Sequence, residues 1–168
     1  RWLHGIDIGD TVSANIGVSY LDGPNASGSD TDTRIAGVDT YVKWKPRQNL
    51  RGFPFVAWQT EVLRRDYDTP DLTLKDSGGY TQWLWGYKPG WVAGVRAEYA
   101  AGTPVDAGDP LRNRRWRASP NLTWYPSEYS RLRVQYNRDF AQHLSGETAD
   151  ALWLQYEFAL GAHAAHQF

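Results

Sequence analysis

An all-β fold, an antiparallel up-and-down barrel that crosses a membrane on its strands, is what this sequence predicts, and three features predict it. Apolar and polar residues alternate in segments of about ten residues, the length that a tilted strand needs to cross a bilayer. Turn chemistry rich in Gly, Pro, Asp, Ser and Thr separates these segments, and none of them has a helical period with caps. Nine Trp and ten Tyr accompany 22% charged residues, a mixture that suits a wall with one oily and one wet face. No apolar run approaches the roughly 18 residues of a spanning helix.

Eight strands are expected, at roughly 11–21, 34–45, 53–65, 80–88, 91–100, 114–125, 131–140 and 150–160. In the first, Val12, Ala14, Ile16, Val18 and Tyr20 oppose Ser13, Asn15, Gly17 and Ser19. The second, third and fifth place Asp39, Tyr41 and Lys43, then Gln59 and Glu61, then Arg96 and Glu98 on their polar sides. Lys88-Pro89-Gly90 divides the fourth from the fifth. In the sixth, Trp116, Ala118, Leu122 and Trp124 oppose Arg115, Arg117, Ser119, Asn121 and Thr123. The seventh sets Leu132, Val134, Tyr136 and Phe140 against Arg131, Arg133, Gln135, Asn137 and Asp139, with Arg138 out of pattern. The last sets Leu152, Leu154, Tyr156, Phe158 and Leu160 against Gln155 and Glu157. Successive side chains of a strand point to opposite faces, so these strands share one apolar and one polar face.

The connections are expected to alternate in length. Pro46 to Gly52, Lys88 to Gly90 and Pro126 to Ser130 are short, while 22–33, 66–79, 101–113 and 141–149 are longer. Tight turns on one rim and long loops on the other suit an outer-membrane barrel, with the turns in the periplasm. Trp44, Phe53, Trp91, Trp124 and Tyr129 near the turns, and Tyr20, Tyr67, Tyr99 and Trp116 near the loops, read as two interfacial girdles. Asp30, Asp32, Asp66, Asp68, Asp71, Asp76, Asp106 and Asp109 are expected in the external loops, where they draw in cations or simply form turns.

Bulk properties exclude several function classes. A formal charge of −1 without a basic tract argues against nucleic acid as a partner. The absence of cysteine removes disulfides and thiolate metal sites. No Gly-x-Ser-x-Gly elbow, His-Glu-x-x-His helix or phosphate-cradling glycine loop is present, so the chain is not expected to be an enzyme. It opens at Arg1 and holds no methionine, and is read as a processed product or a piece of something longer. Residues 1–168 are read as one barrel domain of the bacterial outer membrane, with 161–168 as a periplasmic tail.

The polar stripe is the functional candidate. Asp39, Lys43, Gln59, Glu61, Arg96, Glu98, Arg115, Arg117, Arg133, Gln135, Asp139 and Glu157 are expected to line the lumen. In a wide barrel they would border a water-filled path for a small solute or metal ion; in a small closed one they would pair into a plug. The latter would leave a structural or surface-binding role. A soluble lipocalin-like binder, with its apolar face inside, is the third reading. No cofactor is expected, although His163 and His166, three residues apart, could both ligate zinc.

Two segments carry a resemblance. Leu122-Thr123-Trp124-Tyr125-Pro126-Ser127-Glu128-Tyr129-Ser130-Arg131-Leu132-Arg133-Val134-Gln135-Tyr136-Asn137 and the close from Leu152 to Gly161-Ala162-His163-Ala164-Ala165-His166-Gln167-Phe168 resemble the C-terminal portion of zinc-regulated TonB-dependent outer-membrane receptors. Ala162 and Ala164 replace the family's Pro and second Gly, while both histidines and the Phe are kept. The resemblance covers most of the chain and implies the C-terminal part of a larger barrel. The barrel reading itself makes outer-membrane lipid a partner, and the alternating Leu152, Leu154, Tyr156, Phe158 and Leu160 are the pattern read by the barrel assembly machinery. The resemblance adds a zinc ion or metal complex and an energy-coupling protein. No plug domain or energy-coupling box is visible in these residues.

Overall fold

Alternation decides to which side of a strand each residue leans, and cross-strand pairing decides which residues meet. The computed structural model describes residues 1–102 and 112–159. Over them, backbone pairing joins nine strands into one antiparallel sheet: β1 Trp2–Ile8, β2 Val12–Pro24, β3 Asp32–Trp44, β4 Phe55–Asp68, β5 Thr73–Lys88, β6 Trp91–Gly102, β7 Arg115–Ser127, β8 Ser130–Ala141 and β9 Thr148–Phe158. Strand order follows chain order, an up-and-down meander with β1 and β9 at its edges. The described residues hold no α-helix.

All eight expected strands are present, and a ninth precedes them. In β1, Trp2, His4, Ile6 and Ile8 alternate with Leu3, Gly5 and Asp7. Leu3 and His4 blur the alternation, which hides this strand in the sequence. Gly9, with φ of 60°, turns the chain into β2, where Ile8 pairs with Val12. The second correction concerns 66–79. β4 runs on to Asp68 and β5 starts at Thr73, so only 69–72 connects them. Lys75, Asp76 and Ser77 resemble loop chemistry, yet Arg65 pairs with Asp76 and Asp66 with Lys75 across the ladder. Opposite charges facing each other stabilise such a pair of strands.

The lengths of the connections therefore differ from expectation. The link 45–54, on the rim of tight turns, has ten residues, while 69–72 on the other rim has four. Within 45–54, Leu50 and Phe53 exchange both backbone hydrogen bonds (2.8 and 3.1 Å) around Arg51 and Gly52, which have φ of 54° and 81°. Two successive positive φ values are the mark of a hairpin turn that matches strand twist. At the opposite rim, the Asn25 amide donates to the carbonyls of Asp32 and Asp68 (2.8 and 2.9 Å), and Ser27 Oγ donates to that of Asp68 (2.7 Å). These bonds fasten the 25–31 loop to the end of β4.

Register carries each face across the whole sheet. Val18, Val38, Val62, Gly79, Tyr99, Trp116 and Phe140 form one continuous row, and Val12, Trp44, Val56, Trp85, Ala93, Leu122, Val134 and Leu154 form another. Between these rows, the apolar face of β2 to β7 carries no charged residue. Arg138 and Asp150, direct partners in β8 and β9, interrupt it and stand 3.8 Å apart. Cross-strand rings stack on this face: Trp58 on Trp83, Trp91 on Trp124, and Trp116 on Phe140. Trp44, Trp91 and Trp124 gather toward one rim, and Tyr20, Tyr99 and Trp116 toward the other. Phe53 and Tyr67 do not join those bands. Phe53 is buried elsewhere, and Tyr67 shares the parity of Glu61 and so faces the polar side.

Burial runs against polarity in this sheet. Ser119, Asn121, Thr123 and Asn137 of the polar face are at most 9% exposed, while Val38, Val62, Trp83 and Val95 opposite are about half exposed. In a single layer, side chains crowd on the concave face and spread on the convex one, so the polar face is the concave one. Part of it is filled by Phe53, Phe55, Ala57 and Val92, with Tyr41, Leu84 and Tyr125 packed against them. Gly86 sits between Phe55 and Val92 in the ladder, where a Cβ would lie 2.2 Å from the Phe55 ring. Gly86→Ala is expected to destabilise the fold by about 1–3 kcal/mol through overpacking, read as a lower urea midpoint; an unchanged midpoint would remove the cluster's role.

Candidate functional site

All twelve residues expected along the lumen stand on one face. Asp39, Glu61, Tyr80, Glu98, Arg117 and Asp139 form a row across β3 to β8, each the cross-strand partner of the next. Gln59 and Arg96 flank Gln82 in the adjoining row. Lys43 and Gln135 belong to the row of Ala57, Leu84, Gly94 and Asn121. Arg115, Arg133 and Glu157 share the same parity on β7, β8 and β9.

Side-chain contacts join six of these positions into a chain across β4 to β8. The Gln59 amide donates to Tyr80 Oη at 2.8 Å, and the Arg96 guanidinium lies 3.8 Å from the Tyr80 ring centre. Arg96 pairs with Glu98 at 2.7 Å, Glu98 is 3.7 Å from Arg117, and Arg117 Nε donates to Asp139 at 2.5 Å. Delocalised, flat guanidinium groups suit such a chain, because each can stack on a ring and bind a carboxylate together. A groove of 470 Å³ runs beside it, bordered by Glu61, Tyr80, Glu98, Arg115, Arg117 and Asp139. Arg1 reaches Asp39 at 3.1 Å from outside β2. Gly17 makes room for this, since a Cβ there would meet the Asp39 carboxylate at 2.2 Å.

The remaining expected residues stand apart from that chain. Lys43 Nζ sits 4.9 Å from the centre of the Phe55 ring, at the edge of the apolar cluster. Gln135 donates to Asn137 at 2.8 Å, and Glu157 accepts from Arg131 at 2.5 Å. Arg115 and Arg133 have no ion-pair partner among the described residues. Asp66, Asp68 and Asp76, expected in external loops, stand in strands instead: Asp66 pairs with Arg64 (3.3 Å), Asp68 with Arg34 (2.8 Å) and Asp76 with Arg65 (2.5 Å). Arg34–Asp68 and Arg65–Asp76 join neighbouring strands at the rim, while Arg64–Asp66 lies along β4. Asp106 and Asp109 lie outside the described residues.

Two polar-face residues, Tyr80 and Trp153, are found only from the pairing of the strands. Tyr80 sits at the centre of the chain but opens a segment whose strand character shows only when β5 is followed back to Thr73. Ser119 Oγ and Asn121 Oδ1 are buried without a hydrogen-bond partner among the described residues. They flank Pro120, which has no N–H for the β7–β8 ladder. Trp153 stands on the polar face opposite Gln135, in keeping with its parity. His163 and His166 lie outside the described residues, among which no group of three metal-ligating side chains is found.

No protein-family model matches the chain, and no solved structure matches it. A relative described as an uncharacterized protein of Aquifex aeolicus (strain VF5) is 29% identical over 153 residues, covering 81% of this chain and 31% of the relative. The chain thus spans about a third of the length of that relative.

The Arg117–Asp139 contact is part-exposed, with side-chain exposures of 44% and 25%. A double-mutant cycle with Arg117→Gln and Asp139→Asn is expected to give a coupling of about 0.2–1 kcal/mol in urea unfolding. A coupling several times larger would mean that water does not reach this face.

Proposed function

We propose that this chain is part of the wall of an outer-membrane β-barrel through which a small solute passes. The observation that carries the reading is the charge-free apolar face of β2 to β7 set against a concave face of charge and amide. From Trp91 to Tyr99 the band covers nine residues of β6, about 26 Å along the strand at the usual rise. With a strand tilt of about 40° this approaches the apolar height of outer-membrane barrels. Half-exposed Val, Trp and Leu side chains in such number have a natural solvent in lipid acyl chains. A soluble barrel of the lipocalin kind would turn the same residues inward, and here they belong to the convex side.

Strand parity favours a wall larger than these nine strands. In a meander, β1 and β9 run in the same direction, so an all-antiparallel barrel takes at least one further strand between them. The extent of the matched relative, about three times that of this chain, agrees with such a wall. A wider wall leaves the row from Asp39 to Asp139 bordering water instead of filling a plug. On the receptor resemblance, a metal ion or its complex, taken up with an energy-coupling partner, is one such solute. The wall itself needs no enzymatic step.

Insertion tests the reading. Val95→Arg, near the middle of the band on β6, is expected to reduce folding into lipid vesicles by about 2–4 kcal/mol, whereas Asn15→Arg on the polar face of β2 should fold into them like the parent. A parent protein that folds in water without detergent and stays out of vesicles would sink the membrane reading.

A further inference from the structure

The place where β8 meets β9 on the polar face has a chemistry of its own. Arg133 is the cross-strand partner of Gln155, and Gln135 of Trp153. Four side chains thus occupy one patch, with direct partners about 5 Å apart at Cβ. A groove of 530 Å³ opens along the edge strand β9, lined by these four and by Leu154 and Tyr156, within the range of about 300–1,000 Å³ typical of small-molecule sites.

Each member offers something unspent. Arg133 is only partly exposed, its Nε is buried without an acceptor, and no carboxylate among the described residues lies within ion-pair distance. The like charges of Arg131 and Arg96 act on it, and each of those has a carboxylate already, Glu157 and Glu98. A guanidinium that has lost hydration without gaining a counter-ion sets up a field that an anion relieves. Its planar fork fits a carboxylate with two parallel hydrogen bonds. Gln135 uses its NH2 group on Asn137 at 2.8 Å and keeps its carbonyl for a hydroxyl donor. Gln155 makes no side-chain hydrogen bond among the described residues.

Trp153 supplies the remaining element. It is 61% exposed, and the groove beside it is lined by the amides of Gln135 and Gln155 and the guanidinium of Arg133 as well as by Leu154 and Tyr156. A flat indole beside hydrogen-bonding groups suits a ring with one apolar face and a hydroxylated edge. We propose that Arg133, Gln135, Trp153 and Gln155 form a binding site for an anionic sugar, a pyranose ring carrying a carboxylate. The carboxylate meets Arg133, ring hydroxyls meet the two glutamines, and the C–H face of the ring lies on Trp153. As the identity of the solute the assignment rests on the passage reading above; as a binding site it stands on this patch alone.

The test is calorimetric titration of the full-length protein in detergent with glucuronate, glucose and acetate. Glucuronate is expected to bind, with glucose and acetate each about tenfold weaker or more, since each lacks one half of the recognition. Arg133→Gln and Trp153→Leu should each weaken glucuronate by about tenfold or more. Arg47→Gln, in the 45–54 connection, should leave it as it is. Arg133→Lys keeps the charge without the fork and should bind between parent and Arg133→Gln; it carries the test if the glutamine variant fails to fold. Equal affinity for glucuronate and glucose, or folded variants at Arg133 and Trp153 that bind like the parent, would overturn the proposal. A parent that inserts into vesicles but ignores glucuronate at millimolar concentration ends this assignment and leaves the membrane reading intact. Binding by a protein that stays out of vesicles would do the reverse.

Discussion

Cross-strand register keeps the side-chain parity of nine strands in phase, and both faces of the sheet exist only because it does. A slip of one residue in any strand would turn its Val, Leu and Trp toward the arginines and carry its charges into the apolar band. The irregularities in the ladder fall where they cannot do this. Pairing shifts between Gly86 and Lys88 and between Trp124 and Ser127, both at strand ends beside tight turns. Pro120 lies in mid-strand, yet Ala118 pairs with Arg138 on one side and Asn121 with Gln135 on the other, so the register passes through unchanged. The proline removes a backbone donor without moving a side chain to the wrong face.

That phase lock distributes energy in an unusual way. The buried set is small, and Phe53, Phe55, Ala57 and Val92 of it cluster on the polar face. Most large apolar side chains are spread over the opposite face, where their favourable transfer from water depends on what surrounds the sheet. Hydrogen bonds along the ladders hold the layer together, and the ion pairs at strand ends, Arg34–Asp68 and Arg65–Asp76, close it toward the 69–72 rim. Exposed pairs of this kind contribute little individually in water. On the concave face the same chemistry has another consequence: Arg96, Glu98, Arg117 and Asp139 neutralise each other, and Arg133 is left with charge to offer.

The strand-to-strand connections show how local chemistry misleads. Asp, Ser and Gly between 66 and 79 favour turns in isolation. Within the sheet, Asp76 faces Arg65, and the cross-strand attraction outweighs the turn preference, so the strands run on to a four-residue link. Conversely, the stretch after Trp44 reads as a short turn, but Pro46 and the positive-φ pair Arg51-Gly52 make a ten-residue excursion that delivers Phe53 and Phe55 to the concave face. Loop length therefore does not distinguish the rims of this sheet, whereas the positions of Trp44, Trp91 and Trp124 against Tyr20, Tyr99 and Trp116 still do.

By itself the sequence determined the all-β meander, the facing of every strand that it revealed, and all twelve polar-face residues from Asp39 to Glu157. A period of two is a local property, and a strand cannot hide which of its residues share a side. The tertiary structure alone decided the rest. β1 emerged because pairing with β2 rescues a segment with weak alternation of its own. Phe53 and Phe55 went to the concave face because the 45–54 connection aims them there. Tyr80, Trp153 and the unneutralised Arg133 acquired their significance from neighbours on other strands. Those relations depend on register, a long-range quantity that no window of sequence contains.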